Sequence, residues 1–208
     1  MSINETQQSI ETGKPRPGRP RSEAVHRAIL ETAISQVLAS GFRAVSIESI
    51  ASGAGVGKTT IYRRWPNKAA VVMDAFLMEV APETAFPQRE RAIDSLRQQM
   101  LLQVRAFRSK YGSLIRSLLG EAQFDTELHE AFRERWLMPR RRMLRAVIEE
   151  AMRQGDFRND IDPELAMDML YAPLYYRLLL GSGPITDVFM MGILDQACCK
   201  GAERLRIE

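Results

Sequence analysis

From residue 22 onward, apolar side chains return every three or four positions, and no stretch alternates apolar with polar for longer than about four residues. A strand half-buried on a sheet needs a period of two, and an amphipathic helix a period of 3.6. The chain is therefore read as all-α. Turn residues divide it: Gly41, Gly53-Ala54-Gly55, Pro66-Asn67, Pro82, Tyr111-Gly112, Phe124-Asp125, Gly155, Asp162-Pro163 and Gly181–Pro184. Between them the pattern predicts about nine helices, near 22–40, 46–52, 57–64, 68–80, 89–109, 112–122, 126–153, 163–180 and 185–204. Ser22 is expected to cap the first, with Gly41 just past its end. Ser46 and Ser49 make half a capping box. Pro139 is expected to kink or split the helix around it.

With 208 residues, 45% of them hydrophobic, a packed core is expected, in one large domain or two small ones. The longest uncharged stretch, residues 32–42, reaches only 11 residues, against the roughly 20 that span a membrane. The first twenty residues are polar and lack the apolar core of a secretory signal. Cys198 and Cys199 are adjacent and cannot staple the fold, which agrees with a reducing, cytoplasmic setting. Only His26 and His129 could join them at a metal, and the spacing fits no zinc site. No acid–base pair or nucleophile constellation argues for turnover, so neither enzyme activity nor a cofactor is expected.

Charge is unevenly placed. Residues 14–68 carry ten Lys or Arg and three acids, a balance of +7 in a chain whose net charge is +3. A basic N-terminal third on a near-neutral body points to a polyanionic partner. Residues 1–21 read as a disordered basic arm, broken by Pro15, Pro17 and Pro20. Its Arg16, Arg19 and Arg21 suit a narrow minor groove, where the potential is most negative. A solubilising tail or a plain basic linker fits the same composition.

Residues 53–60, Gly-Ala-Gly-Val-Gly-Lys-Thr-Thr, at first suggest a phosphate-binding loop. That motif requires glycine at position 52, where Ser52 stands, and a buried strand before it. Ile47 and Ile50 have helical spacing instead. The segment fits a helix-turn-helix better: a first helix over 46–52, a glycine turn at 53–55 and a second helix at about 57–64. Val56 and Ile61 would face the core. Lys58, Thr59 and Thr60 would project at the tip that meets base edges, where lysine donates to guanine and a threonine methyl packs on thymine. Tyr62, Arg63 and Lys68 lie where phosphates would run. Tyr62 and Trp65 could equally be core aromatics, and Lys68 a solvated helix start.

Residues 19–78 resemble the DNA-binding domain of the TetR/AcrR family of bacterial transcriptional regulators. The likeness rests on an Arg-rich arm, Gly41-Phe42, Ser46-Ile-Glu-Ser-Ile-Ala with Ala54-Gly-Val, and Thr60-Ile-Tyr62 with Trp65 and Lys68. The resemblance implies that Ser46, Tyr62 and Lys68 touch phosphates and that Lys58, Thr59 and Thr60 read bases. It implies a homodimer on double-stranded DNA with a palindromic operator, and a helical C-terminal domain that binds a small ligand. Three positions depart from the family pattern. Gly57 replaces a usual Ser or Thr, Thr59 a usual Gly, and Trp65 a usual Phe.

The division expected is an arm (1–21), a helix-turn-helix domain (22–67) and a ligand-binding and dimerisation domain (68–208). For the dimer seam the stripes Leu170, Leu174, Leu178 and Phe189, Ile193, Ala197 are candidates; an intramolecular core is the competing reading. For a pocket taking an apolar or aromatic effector the candidates are Met100, Phe107, Tyr111, Phe124, Trp136, Met143, Tyr171 and Tyr175. Arg140-Arg141-Arg142 reads as a solvated helix face. The functional expectation is a repressor released from DNA by an inducer. An activator, or a DNA-binding regulator without a small ligand, stays open beside it, and behind them a nucleotide hydrolase built on residues 53–60.

Overall fold

The computed structural model describes residues 19–198. Its regular elements are α1 (Arg19–Ser40), α2 (Ile47–Gly53), α3 (Lys58–Tyr62), α4 (Lys68–Val80), a 3-10 turn (Pro82–Thr84), α5 (Ala92–Arg108), α6 (Lys110–Glu121), α7 (Thr126–Phe132), a π-turn (Arg133–Leu137), α8 (Met138–Arg153), α9 (Pro163–Leu180) and α10 (Asp187–Ala197). α7, the π-turn and α8 follow without interruption, so the described residues form nine helical rods. The β-type pairing among them is one isolated bridge, Phe157 to Cys198.

α1 begins at Arg19, three residues before the expected cap at Ser22. Pro20 falls in the first turn, where a missing N–H removes no bond and the fixed φ already suits a helix. Ser22 therefore lies inside α1, and its hydroxyl accepts from Arg64 Nη2 at 2.5 Å. The expectation of a disordered arm through residue 21 is corrected at that end: the backbone of Arg19 and Arg21 is helical. Their side chains, and Arg16 and Cys199, lie outside the described residues.

The cap of α2 is complete rather than half-formed. Ser49 N donates to Ser46 Oγ at 3.0 Å, and Ser46 N donates to Ser49 Oγ at 3.1 Å. A serine succeeds at this third position because α1 supports it. Ser49 Oγ donates to Gln36 Oε1 at 2.7 Å, and Gln36 Nε2 donates to Ser49 O at 3.0 Å. The disturbance expected at Pro139 takes the form of the π-turn. Met138 N donates to Arg133 O, five residues back, and the widened turn absorbs the missing donor and the ring of Pro139 in the first turn of α8.

The head packs Ile29, Ala33, Ile50 and Ile61, each fully buried, around Phe42 and Trp65. α4 is apolar on most of its circumference: Val71, Val72, Met73, Ala75, Phe76 and Val80 are all fully buried. Such a helix belongs between layers, and α4 packs on α1 at one side and on α7 at the other. Beyond it, α5 is the axis of the body: it touches α6, α8 and α10, and its Leu96, Met100 and Val104 are fully buried. Burying a side chain of that size stabilises by about 1.5–3 kcal/mol, so α4 is tied to both halves by several such contacts. Arg43 and Glu121, 3.2 Å apart, join head and body near the surface.

Candidate nucleic-acid interface

α2 and α3 meet across a four-residue turn. Gly55 has φ +66, a left-handed conformation costly to any side chain with a Cβ. A Cβ on Gly53 would stand 2.7 Å from Thr32 Cγ2, so only glycine lets the end of α2 lie so close to α1. The glycine run is thus spent on joining two helices. The residues before it are helical, which removes the strand that a phosphate-binding loop requires.

α3 is short and held from one side. Ile61 is fully buried and Trp65, just past its end, is 3% exposed. Arg64 ties the same end to Ser22. The opposite side faces outward: Lys58, Thr59, Tyr62 and Arg63 are exposed and Thr60 is half-buried. Gly57 caps α3 with no side-chain hydrogen bond, as its departure from the family pattern implies. Tyr62 is 52% exposed, which sets aside its reading as a core aromatic. Trp65 is the core aromatic.

Two ion contacts surround this tip. Lys58 Nζ lies 3.0 Å from Glu48 Oε1, and both side chains are more than half exposed. Their hydrogen bond raises the lysine pKa and lowers that of the glutamate. A pair so exposed to water contributes little, so Glu48 holds Lys58 only weakly. Lys68 is placed differently. Its amine donates to Phe42 O at 3.0 Å and stands 4.0 Å from the centroid of the Phe42 ring. Ser46, half-exposed at the head of α2, and Arg63 flank the tip.

Behind the tip a polar bridge crosses α4. Trp65 Nε1 donates to Asp74, Asp74 also accepts from Arg135 of the π-turn, and Arg135 Nη1 donates to Ala70 O at 3.2 Å. The neighbour of Arg135, Trp136, packs edge-on against Phe76 of α4 at 4.8 Å and lines a cavity in the body. That cavity, about 170 Å³, lies between α5, α8 and α9. Of the eight pocket candidates it contains Trp136, Tyr171 and Tyr175. Met100 and Phe107 are core, with Phe107 edge-on to Tyr175. The Tyr111 hydroxyl donates to Glu79 at 3.2 Å. Phe124 and Met143 are exposed; nothing in their three- and four-residue spacing revealed which side of each helix the core would take.

The seam candidates divide by burial. Leu170, Leu174, Leu178 and Ala197 are buried within the subunit, while Phe189 and Ile193 are half-buried. The outward stripe on α9 is Leu165, Met169, Ala172, Tyr176 and Leu179, with Val188 beside it on α10. Arg140 is a further correction. It turns inward and lines the cavity, Arg141 pairs with Glu164 and Asp168 of α9 at 2.5 and 2.6 Å, and Arg142 alone of the three is exposed. The signal was present: Trp136, Arg140, Leu144 and Ile148 recur every four residues, so the arginine sits in the apolar row.

A small helical head with an exposed second helix, carried on a helical body, defines a helix-turn-helix DNA-binding regulator. Known proteins agree. Residues 29–75 match the model for bacterial regulatory proteins of the tetR family, and residues 86–197 that for a tetracyclin repressor-like C-terminal domain. An uncharacterized HTH-type transcriptional regulator of Bacillus subtilis, YdeS, is 35% identical over 86% of this chain and 91% of its own. The DNA-binding transcriptional repressor TetR of Mycobacteroides abscessus is 30% identical over 84% and 92%. The crystal structure of the TetR family regulator SCO0332 superposes with a TM-score of 0.66 at 30% identity, over 83% of this chain and 95% of that one. The chain belongs to the TetR family of bacterial transcriptional regulators. Among the described residues no helix is long and apolar enough to cross a membrane.

Proposed function

We propose that this protein is a homodimeric repressor that reads a palindromic operator and leaves it when a small molecule enters the body. Residues 22–67 serve as the reading head and 68–208 as the sensing and pairing body. The observation that carries the reading is the α3 tip: Lys58, Thr59 and Thr60 stand outward while Ile61 and Trp65 fix the helix from behind. Lys58 offers donors to guanine and the two threonines pack on thymine methyls. Ser46, Tyr62 and Arg63 meet phosphates, joined by arm residues Arg16, Arg19 and Arg21 at the minor groove. Lys68 acts through its hold on Phe42 and with whatever donor capacity that leaves.

One head covers few base pairs, and a two-fold pair doubles the contacts over half-sites a helical turn or a multiple apart. The exposed stripe of α9 with Val188 supplies a surface for that pairing. Release is a shift between two arrangements of the heads. An effector must favour the non-binding arrangement by about 2.7 kcal/mol to weaken DNA binding a hundredfold. The bridge from Trp136 and Arg135 through Asp74 to Trp65 supports α4 as the lever. The repressor named among the relatives supports the sign of regulation. The test is selection of bound duplexes from random DNA, then a mobility shift on the selected duplex. A palindromic consensus that is bound tightly is expected; binding without sequence preference would overturn the reading.

A further inference from the structure

The cavity of the body is apolar in its walls but unbalanced in its polar groups. A chain of hydrogen bonds runs along one side: the Tyr171 hydroxyl donates to Gln99 Oε1, Gln99 Nε2 donates to Gln103 Oε1 at 3.4 Å, and Arg140 Nη2 donates to the same oxygen at 3.3 Å. This order fixes both amides, because each oxygen is already accepting. Gln103 Nε2 is left over, buried and without a partner. Trp136 Nε1 also completes no hydrogen bond, with the Tyr175 hydroxyl within its electrostatic reach. Both glutamines are buried, at 0% and 2% exposure.

Arg140 stands at the centre of this. Its guanidinium lies 4.2 Å from the Trp136 ring centroid, and its second protein bond, to Thr84 O at 2.5 Å, also leaves from Nη2. Among the described residues no carboxylate lies within 4.0 Å of it. The one acid in the lining, Asp168, is engaged by Arg141, as nearby Glu164 is by Arg141 and Arg145. Burial lowers the Arg140 pKa, yet guanidinium stays charged. Burial raises both Tyr171 and Tyr175, so they remain neutral. The groups left without a partner in the cavity are therefore donors, beside an arginine whose charge faces no carboxylate. A buried donor without an acceptor costs roughly 1–3 kcal/mol, and an unpaired buried charge costs more.

We propose that the effector is a small carboxylic acid in its anionic form, its carboxylate taken by Arg140 and Gln103 Nε2 and its apolar body held by Trp136, Leu144, Met167 and Tyr171. A planar carboxylate matches the two-pronged edge of a guanidinium. The volume sets the size: a cavity of about 150 Å³ admits one benzene ring, and this one is about 170 Å³. The proposal rests on the repressor reading and replaces a purely apolar or aromatic effector with an acidic one.

Calorimetric titration of the full chain with benzoate and with benzamide, its neutral counterpart, tests it. Benzoate should bind at least about tenfold more tightly, the range of a hydrogen bond to a charged group. Arg140→Gln should bring the two to equal affinity, and Arg140→Lys should restore part of the difference. Equal affinities in the unaltered protein, or binding of neither compound at millimolar concentration, would overturn the proposal. So would a preference for benzoate unchanged in Arg140→Gln. The unaltered protein decides the matter by itself if that variant does not fold. A mobility shift on the selected duplex separates the two readings. Release by benzamide but not benzoate refutes the acid alone. Tight benzoate binding that leaves the DNA complex intact refutes release by inducer and leaves the acid site standing.

Discussion

His26 shows how a single side chain can make the head sensitive to pH. Its ring stacks on Trp65 at 5.0 Å with an interplanar angle of 14°, and its Nδ1 is buried without a partner. Burial, and then the charge of Arg64, lower its pKa from the ordinary 6.5. The unfolded chain therefore takes up this proton more readily than the folded one. The contribution to stability is whole above pH 6.5, shrinks as pH falls below it, and levels off once pH passes beneath the folded value. Thermal melts from pH 7.5 to 5.0 should fall more steeply for the natural chain than for His26→Phe; parallel curves would refute the account. Neither the stacking nor the burial was legible in the sequence, since His26 is far from Trp65 along the chain. Lys58 was legible as the tip of α3, but its partner Glu48 was not, because the pair depends on the turn that brings α2 beside α3.

At the level of the element, periodicity and turn residues located every rod, and what they missed lay at the ends. The start of α1 slipped by three residues because Pro20, read as a breaker, is tolerated in a first turn. The cap of α2 was half-read because its second serine depends on Gln36, thirteen residues away. Ser49→Ala removes the hydrogen bond to Ser46 N and the contact with Gln36 Oε1, and should destabilise by about 1–2 kcal/mol in denaturant unfolding. A loss below about 0.3 kcal/mol would mean that the cap does not fix α2, given that caps are typically worth about 1 kcal/mol. The π-turn was foreseen as an interruption at Pro139 and not in its form. Its effect is to set Arg135 toward α4 while Trp136 faces Phe76 and the cavity, one residue apart.

Over the whole molecule, the charge split and the motif at 46–68 pointed to a DNA-binding head on a helical body, while the body's inner and outer faces could not be told apart. An apolar residue every three or four positions fits a subunit core and a subunit seam equally, and α9 carries one buried stripe and one exposed stripe. The structure separates them, and their variants should behave differently. Met169→Arg, on the exposed stripe, should leave the subunit folded and shift sedimentation from dimer to monomer. Leu174→Ala, fully buried, should instead cost about 2–5 kcal/mol of stability. A dimer that survives Met169→Arg would move the seam elsewhere. The division of labour at the α3 tip is measured most directly by the base-preference profile from random duplex DNA for the natural chain, Lys58→Ala and Tyr62→Ala. Lys58→Ala should relax the preference at one position of each half-site, and Tyr62→Ala should weaken every sequence alike. A uniform loss from both variants, or an unchanged profile in Lys58→Ala, would contradict it.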